Sequence, residues 1–312
     1  MAPPSRLTTS SPSPRATDFP VSHTLKRICF VVNPLSGGKD KGPILKAIAR
    51  HDFAYETIFT KRPGHAIEIA RSTDADIVVA VGGDGTVSEV AQGLIGTDKT
   101  MGIIPCGSGD GLALHLGISR KTEAALRILE EGVSASMDYG LLDGKPFFCT
   151  TGVGLDAEVA WQFDKADRRG LWTYISLAWK IWRHFTPDTY TIDVDGKKMV
   201  TPAIFVTVGN ANQWGNQARI CSLASLTDGI LDVTIVKPFR TWEIPALATR
   251  LLTGFAHKSR RTVMLRGKKI TIHRSSMGPA HHDGDPCMKG TEITVEVAPA
   301  ALRVIVPKGR KI

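Results

Sequence analysis

Between Leu25 and about Met137 the chain alternates short valine- and isoleucine-rich runs with segments of helical period. Arg27–Val32, Ile77–Val81 and Thr100–Pro105 are apolar runs of strand length, the pattern of strands covered on both faces. Tyr55–Thr60 alternates like a strand. Between these runs Pro43–Ala49, His65–Ala70, Val87–Leu94, Leu112–Leu116 and Lys121–Glu130 read as helices. Such βα alternation predicts a parallel sheet wound with helices. From about Tyr139 the rhythm changes. Pro146–Thr150, Thr189–Val194, Ala203–Val208, Leu231–Val236, Lys269–His273, Glu292–Val297 and Leu302–Val306 read as short strands, with Asp143-Gly144 and Asp195-Gly196 as hairpin turns. A second, antiparallel domain follows from this, its sheets packed face to face. Residues 1–24, rich in Pro, Ser and Thr, cannot bury enough apolar surface to offset their ordering entropy and are expected to be disordered.

Three strand-like runs of the first part end on glycine clusters. Val78-Val79-Ala80-Val81 leads into Gly82-Gly83-Asp84-Gly85-Thr86, Arg27–Val32 into Asn33-Pro34-Leu35-Ser36-Gly37-Gly38, and Ile103-Ile104-Pro105-Cys106 into Gly107-Ser108-Gly109-Asp110-Gly111. Glycines let the backbone turn sharply and bring its N–H groups against an anion. Ligands of open α/β sheets bind at the carboxyl ends of strands. Three such turns on one rim predict a cradle for a polyphosphate. Asp84, a carboxylate among anion-binding amides, suits a metal-phosphate or a proton transfer; the plain alternative is a tight turn with a solvated aspartate.

Composition narrows the picture without deciding it. Over 312 residues, 42% are apolar and 22% charged, the values of a soluble globular chain with room for two cores. No apolar run is long enough to span a bilayer. The five cysteines are scattered and lack a CxxC spacing, so reduced thiols and a cytoplasmic location are expected. The net charge of +9 admits nucleic acid, anionic lipid or phosphorylated ligands, but no nucleic-acid motif is present. Two helical stretches, 161–185 and 242–258, interrupt the strands of the second part. The first carries four of the six tryptophans, with Trp172, Ile175, Trp179 and Trp182 at helical spacing among Lys and Arg. It reads either as a helix meeting lipid or as a core helix covering the sheet. His281-His282-Asp283-Gly284-Asp285-Pro286-Cys287 has metal-binding residue types, but neighbours on an extended chain point to opposite sides, so a zinc site is not expected and a catalytic loop is.

Asn33-Pro34-x-Ser36-Gly37, Thr60 followed by Gly64-His65-Ala66, Gly82-Gly83-Asp84-Gly85-Thr86-Val87-Ser88-Glu89 and Pro105-x-Gly107-Ser108-Gly109-Asp110-Gly111 together resemble the diacylglycerol kinase catalytic family, which includes bacterial lipid kinases and sphingosine kinases. Gly152-Val153-Gly154-x-Asp156-Ala157, Thr227-Asp228-Gly229-Ile230-Leu231-Asp232 and Asp283-Gly284-Asp285 resemble its later motifs, in the family order from about Leu25 onward. Gly-Gly-Asp-Gly alone also occurs in NAD kinases and phosphofructokinases.

The resemblance implies an α/β plus all-β fold: a doubly wound nucleotide domain at residues 25–138, completed by 300–312, and a β-sandwich lipid-acceptor domain at 139–299, with the active site between them. It implies transfer of the γ-phosphoryl of ATP to the hydroxyl of diacylglycerol or a related long-chain alcohol, with Mg2+. On the family pattern Asn33, Pro34, Leu35, Ser36, Gly37, Gly38 and Thr60 would hold nucleotide. Gly82, Gly83, Gly85, Thr86, Val87, Ser88, Glu89, Gly107, Ser108 and Gly109 would line the same site. Asp84 or Asp285 would be the general base, Asp156 would face the acceptor, and Ser225, Asp228 and Ile230 would hold a structural magnesium, Asp228 otherwise being a plain turn residue. Two positions depart from the pattern: Asp110-Gly111 stands where Asn-Asp or Asn-Gly is common, adding a negative charge near phosphates, and Asp285 stands for a glutamate. Transient membrane contact and no nucleic-acid partner are expected. Dimers are common in the family, so a homodimer is admitted, although no sequence feature points to one. The alternatives are a sphingoid-base or ceramide kinase, a soluble-substrate kinase of the NAD type, and a nucleotide-binding sensor without turnover.

Overall fold

A run such as Ile77–Val81 has no polar position to turn toward water, so it is stable only with both faces covered. In the computed structural model, which describes residues 19–20, 27–38, 40–166 and 171–312, that strand is buried throughout. The first part of the chain runs β1 (Phe19–Pro20), β2 (Arg27–Val32), α1 (Gly42–Ile48), β3 (Ala54–Phe59), α2 (His65–Ser72), β4 (Ile77–Gly82), α3 (Asp84–Leu94), β5 (Thr100–Pro105), α4 (Gly111–Leu116) and α5 (Thr122–Glu131). Strands pair in parallel in the order β5-β4-β2-β3. Helix α1 packs on α5, and α2 on α3. The chain moves outward from β2 to β3, then back through β4 to β5, so the direction of winding reverses between β2 and β4. Crevices at such reversals are where open α/β sheets bind ligands.

The second part comprises β6 (Val133–Leu142), β7 (Lys145–Phe147), β8 (Thr150–Gly154), α6 (Leu155–Asp164), α7 (Leu171–Trp182), β9 (Asp188–Val194), β10 (Lys197–Ala203), β11 (Phe205–Gly209), β12 (Leu231–Val236), α8 (Ile244–Thr253), β13 (Thr262–Gly267), β14 (Lys269–His273), β15 (Gly278–His282), β16 (Asp285–Lys289) and β17 (Glu292–Val306). One six-stranded antiparallel sheet has the order β13-β12-β11-β8-β15-β16. Its inner face, with Val206, Val208, Val233 and Ile235, meets Ile192, Ile270, Ile272 and Val295 of the opposing layer β10-β9-β14-β17. The outer face is covered by α6, α7 and α8 through Leu155, Val159, Ile181 and Leu251.

The opposing layer is not a separate sheet. Strand β17 pairs with β14 through its first half and in parallel with β5 through Arg303 and Val304, so the parallel sheet and one half of the sandwich form a single eleven-stranded sheet. The expected pair of strands, Glu292–Val297 and Leu302–Val306, is therefore one strand with a register shift between Ala298 and Leu302. Ala300 at φ 50° makes the kink, and its N–H donates to the buried Asp138 carboxylate. Pro299 lies in the gap between the two expected strands, and a bulge held by a carboxylate carries the chain through it.

The helical stretch 161–185 divides into the end of α6 and all of α7, and residues 167–170 lie outside the described residues. Within the expected disordered tail, 1–24, only Phe19–Pro20 is described, as a two-residue strand against Ser134 and Val133. All five cysteines are free, with Cys29, Cys149 and Cys221 buried.

Candidate active site

Strands β2, β4 and β5 are neighbours, so their carboxyl ends deliver three loops to one place. The loops are in van der Waals contact. A Cβ on Gly37 would lie 1.9 Å from the Cys106 carbonyl oxygen, and one on Gly107 would lie 2.5 Å from Gly83 Cα. Only glycine permits that approach, and it leaves backbone N–H groups available to a ligand. Helix α3 starts at the same point, with Gly83 as an extended N-cap, so its unpaired N–H groups and positive dipole end open into the crevice.

The loops form one wall of a cleft of about 710 Å³. Leu35, Ser36, Gly37, Gly38, Gly83, Asp84, Gly85, Val87, Ser88, Gly107, Ser108 and Gly109 line it from the first part of the chain. Asp156, Tyr174, Gly215, Asn216, His281, Asp283 and Asp285 line it from the second. The remaining expected nucleotide residues hold the wall from behind. Asn33 Nδ2 donates to Thr86 Oγ1 at 3.0 Å and Asn33 Oδ1 accepts the Leu35 N–H at 3.0 Å. Thr60 donates its N–H to the Val32 carbonyl, and Gly82 leaves room for the Thr86 side chain. Glu89 accepts the N–H groups of Gly64 and Ala66 at 2.9 and 3.1 Å, capping α2. None of these, nor Pro34, lines the cleft. Sequence reading had no means to separate wall from brace, because both lie within the same motifs.

Asp84 is tied down at both oxygens. Oδ2 accepts the Asp110 N–H at 2.8 Å and Oδ1 the Gly111 N–H at 2.7 Å. Burial raises its carboxyl above the ordinary value, and those two N–H groups pull it back. It is thus the anchor of the β5–α4 loop. Asp110, whose side chain is 1% exposed, accepts the Gly107 N–H with Oδ1 at 2.9 Å and Arg120 Nε with Oδ2 at 2.9 Å. Burial, then the neighbouring Asp84 charge, raises its carboxyl. The added charge expected at position 110 therefore comes with its own counter-cation, ten residues away and outside every motif. Lys41, also missed, is buried and donates from Nζ to the Ser36 carbonyl beneath the first loop.

The opposite wall depends on Asp283. Segment 281–287 is not an open loop: β15 and β16 form a hairpin whose turn, Asp283 at φ 51° and Gly284 at φ 89°, is left-handed at both positions. That is the Asp-Gly signal of a two-residue hairpin. The Asp283 carboxylate accepts N–H groups of Phe148, Cys149 and Thr150 at 2.8, 2.7 and 3.2 Å, and the Ser88 hydroxyl of α3 at 3.3 Å. It joins the two walls. Asp285, two residues on, is exposed at the cleft edge; partial burial raises its carboxyl and His282 lowers it. Asp156, expected to face the acceptor, is buried: Oδ2 accepts the Thr207 hydroxyl at 2.8 Å and lies 3.3 Å from His281 Nε2. It lines the cleft with its carboxylate held by these two groups.

Ser225, Asp228 and Ile230 lie outside the cleft. Asp228 Oδ2 pairs with the Arg266 guanidinium, whose Nε lies 3.2 Å from Asp232, and Asp228 Oδ1 accepts the Ile230 N–H at 3.2 Å. The expected magnesium ligand is paired with a protein cation here, so this donor set does not fit an ion as it stands. Among the described residues no group of three or more His, Cys, Asp and Glu could hold a metal ion.

Comparison with known proteins adds to this geometry. A family model described as the diacylglycerol kinase catalytic domain matches residues 27–142. A second, described as the YegS C-terminal NAD kinase beta sandwich-like domain, matches residues 149–306. The chain is 26% identical over 274 residues to a diacylglycerol kinase of Bacillus subtilis, covering 84% of this chain and 90% of that one. A crystal structure of a diacylglycerol kinase from Bacillus anthracis superposes with a TM-score of 0.72 at 19% identity, covering 92% of this chain and 99% of that one. An ATP complex of an NAD kinase from Archaeoglobus fulgidus superposes with a TM-score of 0.54 at 15% identity, covering 90% and 94%.

Proposed function

The chain belongs to the family that joins a diacylglycerol kinase catalytic domain to a YegS-type C-terminal domain, and on that premise we propose that this lipid kinase transfers the γ-phosphoryl group of ATP to the hydroxyl of diacylglycerol or a related long-chain lipid alcohol. One observation carries the reading: three glycine loops and the α3 N-terminus meet at a single cleft whose far wall presents an exposed carboxylate, Asp285. Phosphoryl transfer asks a protein mainly for positioning and charge neutralisation. The N–H groups of Gly37 and Gly83 suit the phosphates, while that of Gly107 is held by Asp110. Asp285, exposed at the cleft edge, is the acid assigned to take the acceptor hydroxyl's proton, since both oxygens of Asp84 are engaged. Magnesium would supply neutralisation of the triphosphate's charge, and Asp84, which lines the glycine-loop wall, is the acid that would help to hold it. Transfer of label from γ-labelled ATP by purified protein, offered diacylglycerol, sphingosine, ceramide, isoprenoid alcohols and NAD separately, tests this. Label is expected in a glycerolipid alcohol. Label in NAD alone, or ATP binding without transfer to any acceptor, overturns it.

A water-insoluble acceptor also calls for contact with its membrane. Among the described residues no helix is long and apolar enough to cross one. Helix α7 instead has two faces. Tyr174 lines the cleft and Ile181 packs in the core, while Trp172, Ile175 and Trp179 are 82%, 46% and 48% exposed on one outward stripe. Beside it, after the Trp182–Phe239 stack, Trp242, Leu252 and Phe255 are exposed, with Lys258 over the Phe255 ring. Indoles on an apolar helix with Lys180 in its last turn, next to the cleft, support an interfacial face. Replacing both Trp172 and Trp179 with Ala is expected to weaken partition onto anionic vesicles by about tenfold or more, at ~25 cal/mol per Å² of apolar surface. The melting temperature should fall only modestly, through loss of the Trp179 stack on Trp182. Loss of several degrees with unchanged vesicle binding would return α7 to a core role.

A further inference from the structure

The nucleotide wall contains two buried carboxylates where a polyphosphate is to bind, and among the described residues one guanidinium, that of Arg120, reaches them. Asp84 and Asp110 are linked through the Asp110 N–H. Arg120 donates from Nε to Asp110 Oδ2 at 2.9 Å. The same guanidinium donates from Nη2 to the carbonyls of Ser108 and Gly109, at 3.1 and 2.8 Å, and to Asn216 Oδ1 at 3.3 Å.

Asn216 belongs to the other wall. Its N–H donates to the Gly109 carbonyl at 3.0 Å. Gly215, at φ 122°, approaches so closely that a Cβ there would lie 3.0 Å from Gly109 Cα. Asn216 and Gln217 are held at φ 48° and 62°, a conformation that costs free energy unless its surroundings impose it. The contact is thus built, and Arg120 stands at its centre: it touches the β5–α4 loop at three points and the second domain at a fourth.

We propose that Arg120 is a positioning residue for ATP, which keeps the Gly107–Gly109 loop in its phosphate-facing shape by neutralising Asp110 and holds that loop against the Gly215–Asn216 segment of the opposite wall. The proposal rests on the nucleotide-site reading above. Its consequence is a coupling between two positions. Without Arg120, Asp110 is an unpaired carboxylate beside Asp84 and beside the incoming phosphates, and like charges so placed repel. An asparagine at 110 could still accept the Gly107 N–H but would need no cation.

The test measures ATP affinity by calorimetry, and KM for ATP against kcat, in the wild type, Arg120→Gln, Asp110→Asn and the double variant. Arg120→Gln is expected to weaken ATP binding by about 30-fold, as breaking one side of a partly exposed charge pair does. KM for ATP should rise more than kcat falls. Asp110→Asn alone should cost less than Arg120→Gln alone, and the double variant should recover at least tenfold of the loss. A wild-type protein that does not bind ATP overturns the kinase reading and this inference with it. A wild type that binds ATP, with an Arg120→Gln variant that binds it equally well or a double variant no better than Arg120→Gln, overturns the inference alone. Should Arg120→Gln fail to fold, Arg120→Lys keeps the charge but not the four-point fork, and unchanged ATP affinity in that variant overturns the positioning role.

Discussion

Replacing Asp84 by Asn is expected to reduce phosphoryl transfer by about a thousandfold and to weaken ATP binding, while the protein still folds. The carboxylate offers an acceptor to each of two N–H groups, those of Asp110 and Gly111. An amide of the same shape offers one acceptor and one donor. One of the two N–H groups must then face an NH2 group, and the β5–α4 loop has to move. Misplacing a phosphate-binding loop by about 1 Å costs on the order of a hundredfold, and losing a charge opposite the metal-triphosphate adds to that. The fold survives because one buried N–H left unpaired costs about 1–3 kcal/mol, against a typical domain stability of about 5–15 kcal/mol. Single-turnover assays with labelled ATP, ATP titration calorimetry and a melting curve together check this. More than a tenth of wild-type activity in the variant would remove Asp84 from the mechanism. A collapsed melting curve would make it a folding residue first.

The parts that were legible in the sequence are those whose cause is local. The buried strands β2, β4 and β5 are apolar throughout because both their faces are covered, and the glycines after them are required by the close approach of Gly37 to Cys106 and of Gly107 to Gly83. Strands β12 and β14 fall where their apolar patterns place them, at Leu231–Val236 and Lys269–His273. The strands that escaped have reasons to. Strand β10 carries Lys197, Lys198 and Pro202 because it is an edge, where charge and proline are tolerated. Strands β15 and β16 hold His281, His282 and Pro286 at the other edge of the second sheet, and their hairpin turn was hidden inside a string of metal-binding residue types.

The site divides along the same line. Motifs name the loops, yet the partners that give each carboxylate its role are distant in sequence. Asp283 reaches back 135 residues to the Phe148 N–H. Arg120 answers Asp110 from a helix-to-helix connection without any motif. Asp228 finds Arg266 rather than an ion, 38 residues on and across a strand pair. No local pattern encodes such pairings, since they are set by which strands lie side by side. The consequence for function is a sorting of acids. Asp84, Asp110, Asp156 and Asp283 are all committed to chain groups, and each shapes the cleft.

Asp285 is exposed at the cleft edge, and its replacement by Asn is expected to lower kcat by about a hundredfold to ten-thousandfold, the range for removing a general base. ATP affinity should stay near that of the wild type, which separates this residue from Asp84. The pH dependence follows from its environment. Burial raises the Asp285 carboxyl above its ordinary value, with the nearby acids Asp164 and Glu89 acting in the same direction and His282 against them. A base works only when deprotonated, so activity is lost as pH falls through that raised value and is fully present above it. The acid limb of the wild-type kcat profile should therefore lie above the ordinary aspartate range and disappear in the Asn variant. A glutamate at 285 adds one methylene of reach and keeps the carboxylate, so Asp285→Glu should retain activity within about tenfold. An Asn variant that keeps its acid limb at near-normal kcat would show that the proton goes elsewhere, and Asp164, which also lines the cleft, would then be the acid to replace next.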